Sequence, residues 1–140
     1  MNWMVTTIVV PSDGSTAAES QLASARAIAR ATGARIVVAH VDELVRGRMG
    51  AHSVHACEDE LKANVRRQVE SLRDAGVRAD LEFLASSGEL ANVITELARK
   101  RDADLIVTRK GRRRTLVGLL FGGGSRRLLR LAPCPVLVVA

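Results

Sequence analysis

Short β-branched and apolar runs alternate along this chain with segments whose apolar residues recur at helical spacing. Runs of this length and composition are typical of buried strands. There are five of them: Val5–Val10, Ala34–Val41, Val77–Leu84, Leu105–Thr108 and Val136–Val139. The third run alternates apolar with charged residues, which indicates a strand with one wetter face at the edge of a sheet.

The segments between these runs carry helix start and stop signals. Thr16 with Glu19 three residues later predicts a capping box, and Gly33 is placed to end that first helix. The second helix ends before Gly76, and its apolar residues form one stripe at helical spacing: Leu61, Val65, Val69 and Leu72. By contrast, Asp42–Ser53 has no periodicity and is predicted to be irregular.

Strict alternation of strand and helix predicts the α/β class. Residues 1–140 are expected to form a single domain, a doubly wound five-stranded parallel sheet with helices on both faces. Ligands of such sheets bind beyond the carboxyl ends of the strands, where the strand order reverses. The loops expected there are Pro11–Ser15 and the chain from Arg109 onward.

A glycine-rich loop lies between the fourth strand and the last helix. Glycines before a helix N-terminus let a phosphate approach the backbone, and the helix dipole favours the anion. The spacing matches neither GxGxxG nor GxxxxGK[ST], so a turn that only reverses the chain explains the local pattern equally well. The glycines are Gly111, Gly118, Gly122, Gly123 and Gly124.

Composition narrows the function classes. The chain is 47% hydrophobic, yet no apolar run approaches the ~20 residues that span a bilayer. We expect no membrane partner and, because Met1–Met4 lacks a positive n-region, no signal peptide. Cys57 and Cys134 are too few for a disulfide scaffold, which fits the cytoplasm.

The chain is strongly basic, with a net charge of +6 and five cations within residues 109–114. This cluster is either a polyanion patch or a solvated loop. Because the chain has no Tyr and only three Phe or Trp residues, it lacks the aromatic side chains on which bases stack. Nucleic-acid binding is therefore not expected.

Catalytic and metal sites are not expected either. His52, His55 and Cys57 are zinc-type ligands, but a fourth ligand at a matching spacing is missing. Ser12, Ser15 and Ser125 have no evident His or Asp partners, and GxSxG is absent. No catalytic residue is assigned, and we expect a protein that is not an enzyme.

Four motifs along the whole chain resemble the universal stress protein family: IVVPSDGS, HVDE, ADLIV and, most specifically, GGGSRRLLRLAPCPVLVV. The resemblance implies the strand order 3-2-1-4-5. It also implies a homodimer made through the C-terminal strand, Val136–Ala140, and an apolar edge strand suits such pairing.

Family members that bind ATP carry a loop of the form G-x-x-G-x9-G-[ST]. A gap-free alignment places its three glycines on Arg109, Arg112 and Gly122, its [ST] on Gly123, and a later phosphate-binding serine on Ser125. Gly124 lies between the last two and is included in the predicted site. The base and ribose end of the site falls on Pro11, Asp13, Val41 and Thr108.

Two of the three loop glycines are thus replaced by arginine. An arginine Cβ obstructs a phosphate at the backbone, whereas its guanidinium fork can itself bind phosphate. Three functions stay open. The first is a stress-response protein with a site for ATP or another adenine nucleotide, acting as a regulatory module. The second is a family member without nucleotide binding that acts only as a dimeric interaction module. The third is a weak nucleotide hydrolase, which metal-dependent turnover that Asp13→Ala abolishes would reveal.

Overall fold

The computed structural model of the protein describes residues 3–48, 50–110 and 126–140. Its strands are β1 (Thr7–Pro11), β2 (Arg35–Gly47), β3 (Gly50–Ser53), β4 (Ala79–Ser86), β5 (Leu105–Arg109) and β6 (Val136–Val139). Its helices are α1 (Glu19–Thr32), α2 (Glu58–Asp74) and α3 (Leu90–Lys100). Residues 126–131 are also helical, and we call them the C-terminal helix.

Five of the strands form a parallel sheet in the order β4-β2-β1-β5-β6. Counted over the five predicted strands, this is the order 3-2-1-4-5, so the predicted fold class is confirmed. Among the described strands β4 pairs with β2 alone, which agrees with the half-polar pattern of that run. The strand order reverses between β1 and β5. On one side β1 pairs with β2, the next strand along the chain, and on the other side it pairs with β5, which comes much later.

The prediction of an irregular segment over Asp42–Ser53 is wrong. β2 continues to Gly47 and pairs antiparallel with the additional strand β3, with Leu44 opposite Ser53 and Gly47 opposite Gly50. Gly50 has a φ of +102°, the left-handed backbone that glycine adopts most readily where a hairpin reverses. Gly47 and Gly50 therefore belong to a hairpin rather than to an irregular loop.

Two hydrophobic layers cover the sheet, one on each face. Alternate residues of β1 point to opposite sides: Ile8 and Val10 pack under α1 and α2, whereas Val9 packs under α3 and Leu128 of the C-terminal helix. The first layer includes the predicted stripe residues Val65, Val69 and Leu72. This arrangement fixes β1 at the centre of the molecule and presents its carboxyl end to the loop Pro11–Ser15.

The start of the first helix differs from the predicted capping box. A 3-10 turn, Thr16–Ala18, precedes α1, and its N-cap is Ser15, whose Oγ accepts from the Ala18 N–H at 3.3 Å. Thr16 is therefore not the cap. Gly33 ends the helix as predicted, with a φ of +78° and its N–H bonded to the Ala29 carbonyl.

Within these described ranges, no helix is both long enough and apolar enough to cross a membrane.

Candidate functional site

The candidate site lies at the carboxyl ends of β1 and β5, where the strand order reverses. The loop that follows β1 carries Asp13, and β5 ends at Arg109. Their side chains meet across the crevice, with Arg109 Nη2 donating to Asp13 Oδ2 at 2.8 Å. Crevices of this kind are where open α/β sheets bind ligands, and here the crevice brings one anion and one cation together.

Asp13 is held in place by the residue that caps the next turn. Its Oδ1 accepts from the Ser15 N–H at 3.0 Å and from the Ser15 hydroxyl at 2.5 Å. Partial burial raises the pKa of Asp13, but the Ser15 hydrogen bonds and the charge of Arg109 together outweigh it, so the pKa lies below its ordinary value. The carboxylate is therefore ionised at neutral pH and accepts hydrogen bonds only.

Helix α2 holds the loop that carries Asp13. Gly14 has a φ of +77°, and a Cβ there would lie 2.5 Å from the Leu61 carbonyl oxygen. Only glycine fits, because a side chain would meet both strained backbone and a rigid helix. Gln68 completes the contact: its Oε1 accepts from the Ser12 hydroxyl at 2.6 Å, and its Nε2 donates to the Ser15 carbonyl at 3.2 Å.

A buried histidine supports the same loop from β2. His40 Nδ1 lies 2.8 Å from the Ser12 carbonyl oxygen, and its Nε2 lies 2.5 Å from Glu58 Oε1. A carbonyl oxygen only accepts, so Nδ1 donates to Ser12, and the opposite nitrogen of the ring, Nε2, faces the Glu58 carboxyl group. No local pattern in the sequence indicates that these two residues pair. Partners this far apart in the chain become visible only in the fold.

The structure places all four predicted base and ribose residues toward the carboxyl ends of their strands, at one edge of the sheet. Pro11 ends β1 and is buried, Thr108 is buried near the end of β5, and Val41 lies on β2, two residues past Ala39, the partner of Pro11. With Asp13 and Arg109 they frame the crevice. The remaining predicted site residues lie outside the described part of the chain: Arg112, Gly122, Gly123, Gly124 and Ser125.

The other candidate chemistry does not gather into a site. His55 lies 3.6 Å from Glu43, and Cys57 is exposed. Across residues 3–48, 50–110 and 126–140, no three or more His, Cys, Asp or Glu side chains are grouped as metal ligands. Burial, with a smaller contribution from the charge of Asp104, raises the pKa of Cys134, so its thiol is a poor nucleophile at neutral pH.

Two comparisons of the sequence with known proteins point to one family. The sequence profile of the Universal stress protein family matches residues 4–140. A curated relative, the universal stress protein in the QAH/OAS sulfhydrylase 3' region of Thermus aquaticus, is 34% identical over 140 residues, covering 97% of this chain and 99% of the relative.

Solved structures of universal stress proteins have a similar fold. The universal stress protein from Archaeoglobus fulgidus has a TM-score of 0.74 at 25% identity, covering 98% of this chain and 95% of its own. A universal stress protein in complex with cAMP has a TM-score of 0.72 at 24% identity, covering 98% of each chain. The profile match over nearly the whole length, together with the Thermus relative, shows that this chain belongs to the universal stress protein family.

Proposed function

We propose that this protein binds an adenine nucleotide, ATP or a related one, in the crevice between β1 and β5, and acts as a non-enzymatic regulatory module. The observation that carries the proposal is the ionised Asp13 carboxylate, fixed by Ser15 and facing Arg109 at the point where the strand order reverses. That a fold neighbour is a complex with cAMP supports the choice of ligand class.

The donors and acceptors of the crevice fit an adenine nucleotide. Asp13 accepts from a ribose hydroxyl or from the adenine amine, and Pro11 and Val41 offer apolar surface to the base. The Arg109 guanidinium is a phosphate-binding group. Arg112, Gly122, Gly123, Gly124 and Ser125 complete the proposed phosphate side by the family alignment.

The chemistry around Asp13 supports a role in binding rather than catalysis. A general base works best when its pKa lies near the operating pH, whereas the pKa of Asp13 lies below its ordinary value. The Ser12 hydroxyl donates to Gln68, an amide that takes up no proton. We therefore propose that nucleotide occupancy, and not turnover, is the output of this site.

A second candidate function is a nucleotide-free interaction module. It is favoured by one contact, the ion pair of Arg109 with Asp13, which fills part of the crevice. Both candidates include a homodimer formed through Val136–Ala140, because β6 pairs only with β5 among the described strands and exposes Leu137 and Val138. Both also place the protein in the cytoplasm, which suits its two free cysteines.

The two candidates are separated by the nucleotide content of the purified protein. The protein is denatured, and the supernatant is analysed by anion-exchange chromatography and mass spectrometry; binding of Mg-ATP is then measured by calorimetry. We expect a bound adenine nucleotide and a loss of affinity of about tenfold or more in Asp13→Asn, since one charged hydrogen bond contributes roughly 1.5–3 kcal/mol.

Asp59→Asn is the matched control, because it removes the same charge from an exposed position at the start of α2. An empty wild-type protein that gives no heat with Mg-ATP leaves the interaction module as the function. Equal loss of affinity in both variants contradicts the role of Asp13.

A further inference from the structure

The ion pair between Asp13 and Arg109 spans the crevice in which the nucleotide is proposed to bind. Arg109 Nη2 lies 2.8 Å from Asp13 Oδ2, and the two side chains are 20% and 34% exposed, respectively. Salt screens a partly buried pair less than an exposed one, so this pair is stronger than an ordinary surface salt bridge. A ligand that uses Asp13 therefore meets an occupied carboxylate.

The carboxylate has few free positions. Oδ1 already accepts twice from Ser15, and Oδ2 accepts from the guanidinium. A hydroxyl or amine of a ligand is a neutral donor, and a neutral hydrogen bond is about half as strong as a charge-assisted one. A ligand without charge therefore does not displace Arg109 from the position that it holds on Oδ2, and it finds at most the one remaining lone pair of that oxygen.

An anionic ligand differs because it offers Arg109 a new partner. A phosphate accepts two parallel hydrogen bonds from a guanidinium, as a carboxylate does. When Arg109 turns from Asp13 to a phosphate, one charge-assisted contact replaces another, and Oδ2 becomes free for the uncharged part of the ligand. The free energy lost by breaking the ion pair is then offset by the new contact between Arg109 and the ligand phosphate.

We propose that Arg109 makes the site selective for phosphorylated over unphosphorylated adenine ligands, by exchanging Asp13 for the ligand phosphate. This inference rests on the proposed nucleotide site and adds a selection rule to it. The rule predicts opposite effects on two ligands when the arginine side chain is removed. Without the arginine side chain, adenosine binds more tightly, because it no longer has to displace Arg109 from Asp13. AMP and ATP bind more weakly, because their phosphate loses its partner.

The test measures dissociation constants of adenosine, AMP and ATP by calorimetry for the wild type, Arg109→Ala, Arg109→Lys and Lys110→Ala. In Arg109→Ala we expect adenosine affinity to rise about tenfold and AMP affinity to fall about tenfold, each step equal to about 1.4 kcal/mol. Arg109→Lys keeps the cation and is expected to retain most of the preference for AMP. Lys110→Ala removes the same charge from the exposed neighbouring residue and is expected to behave as the wild type.

The outcomes separate this inference from the proposed function. If the wild type binds adenine nucleotides but the ratio of adenosine to AMP affinity changes less than threefold in Arg109→Ala, the selection by Arg109 is wrong and the nucleotide site stands. A fall of the adenosine and AMP affinities by the same factor also overturns the selection by Arg109, since Arg109 would then contact both ligands in the same way. If the wild type binds none of the three ligands, the nucleotide site itself is wrong, and the selection rule falls with it.

Discussion

Replacing Gly14 with alanine tests how helix α2 holds the loop that carries Asp13. The added Cβ would lie 2.5 Å from the Leu61 carbonyl oxygen and 3.1 Å from the Leu61 Cα, both atoms of a helix backbone that cannot turn aside. A left-handed backbone costs a non-glycine residue roughly 1–2 kcal/mol, and overpacking adds about 1–3 kcal/mol. We expect Gly14→Ala to lower the free energy of unfolding by about 2–5 kcal/mol.

Gly33 provides a matched control within the same chain. Its φ of +78° is nearly that of Gly14, +77°, but a Cβ at Gly33 meets nothing within 4 Å. Gly33→Ala is therefore expected to lower the free energy of unfolding only by the roughly 1–2 kcal/mol that the left-handed backbone costs, with no loss from overpacking. The difference between the two variants isolates the contact between loop and helix.

The assay is urea denaturation followed by far-ultraviolet circular dichroism, with nucleotide affinity measured on the folded variants. Gly14→Ala should lose nucleotide binding along with stability, because the loop must move to relieve the clash, whereas Gly33→Ala should bind as the wild type. Equal destabilisation of the two variants, within about 0.5 kcal/mol, would refute the packing of the loop on α2.

Three further predictions concern stability and assembly. Asp104 accepts from Thr6 N, Thr6 Oγ1 and Thr7 N at 2.9, 2.6 and 3.0 Å, and the Thr6 hydroxyl bond is the main cause of its lowered pKa. Asp104→Asn should therefore cost about 1 kcal/mol at neutral pH after discounting for solvent. In a series of urea titrations against pH, this deficit should persist above the ordinary pKa of 3.8 and vanish as the pH falls through the lower, folded value; a deficit independent of pH would contradict the assignment. Gln68→Met leaves the buried Ser12 hydroxyl without its acceptor and should lower the free energy of unfolding by about 1–3 kcal/mol in urea denaturation. An unchanged denaturation midpoint would contradict the importance of this hydrogen bond. Leu137→Lys places a charge on β6, the strand through which we propose that the homodimer forms, and should convert the proposed dimer to a monomer in light scattering; a variant that stays dimeric places the interface elsewhere.

The fold could be predicted because its signals are local and periodic. β1 is a continuous apolar run buried on both faces, and the α2 stripe repeats at the period of a helix, so burial alone dictates both elements. The hairpin of β2 and β3 was missed because its outer half, residues 46–48 and 50–52, is exposed and carries no alternating apolar pattern. Ser15 was missed as the cap because a 3-10 turn shifts the start of α1.

The candidate site could be predicted only in part. Asp13 and Arg109 were assigned through the family resemblance, and the alternation of strands and helices predicts that their two loops lie at the same edge of the sheet. Their direct contact, 2.8 Å across 96 residues of chain, depends on side-chain directions that spacing does not encode. The support from His40 and Gln68 was missed for the same reason, since buried polar partners are fixed by packing rather than by any local pattern.

The most direct test of the nucleotide site is an amide chemical-shift map recorded while Mg-ATP is titrated into isotopically labelled protein. We predict saturable shifts that concentrate on Gly14, Ser15 and Arg109 at the carboxyl ends of β1 and β5. The β2–β3 hairpin and the start of α3 should stay unchanged. Saturable shifts confined to those other regions, or none at millimolar nucleotide, would contradict a nucleotide site in this crevice.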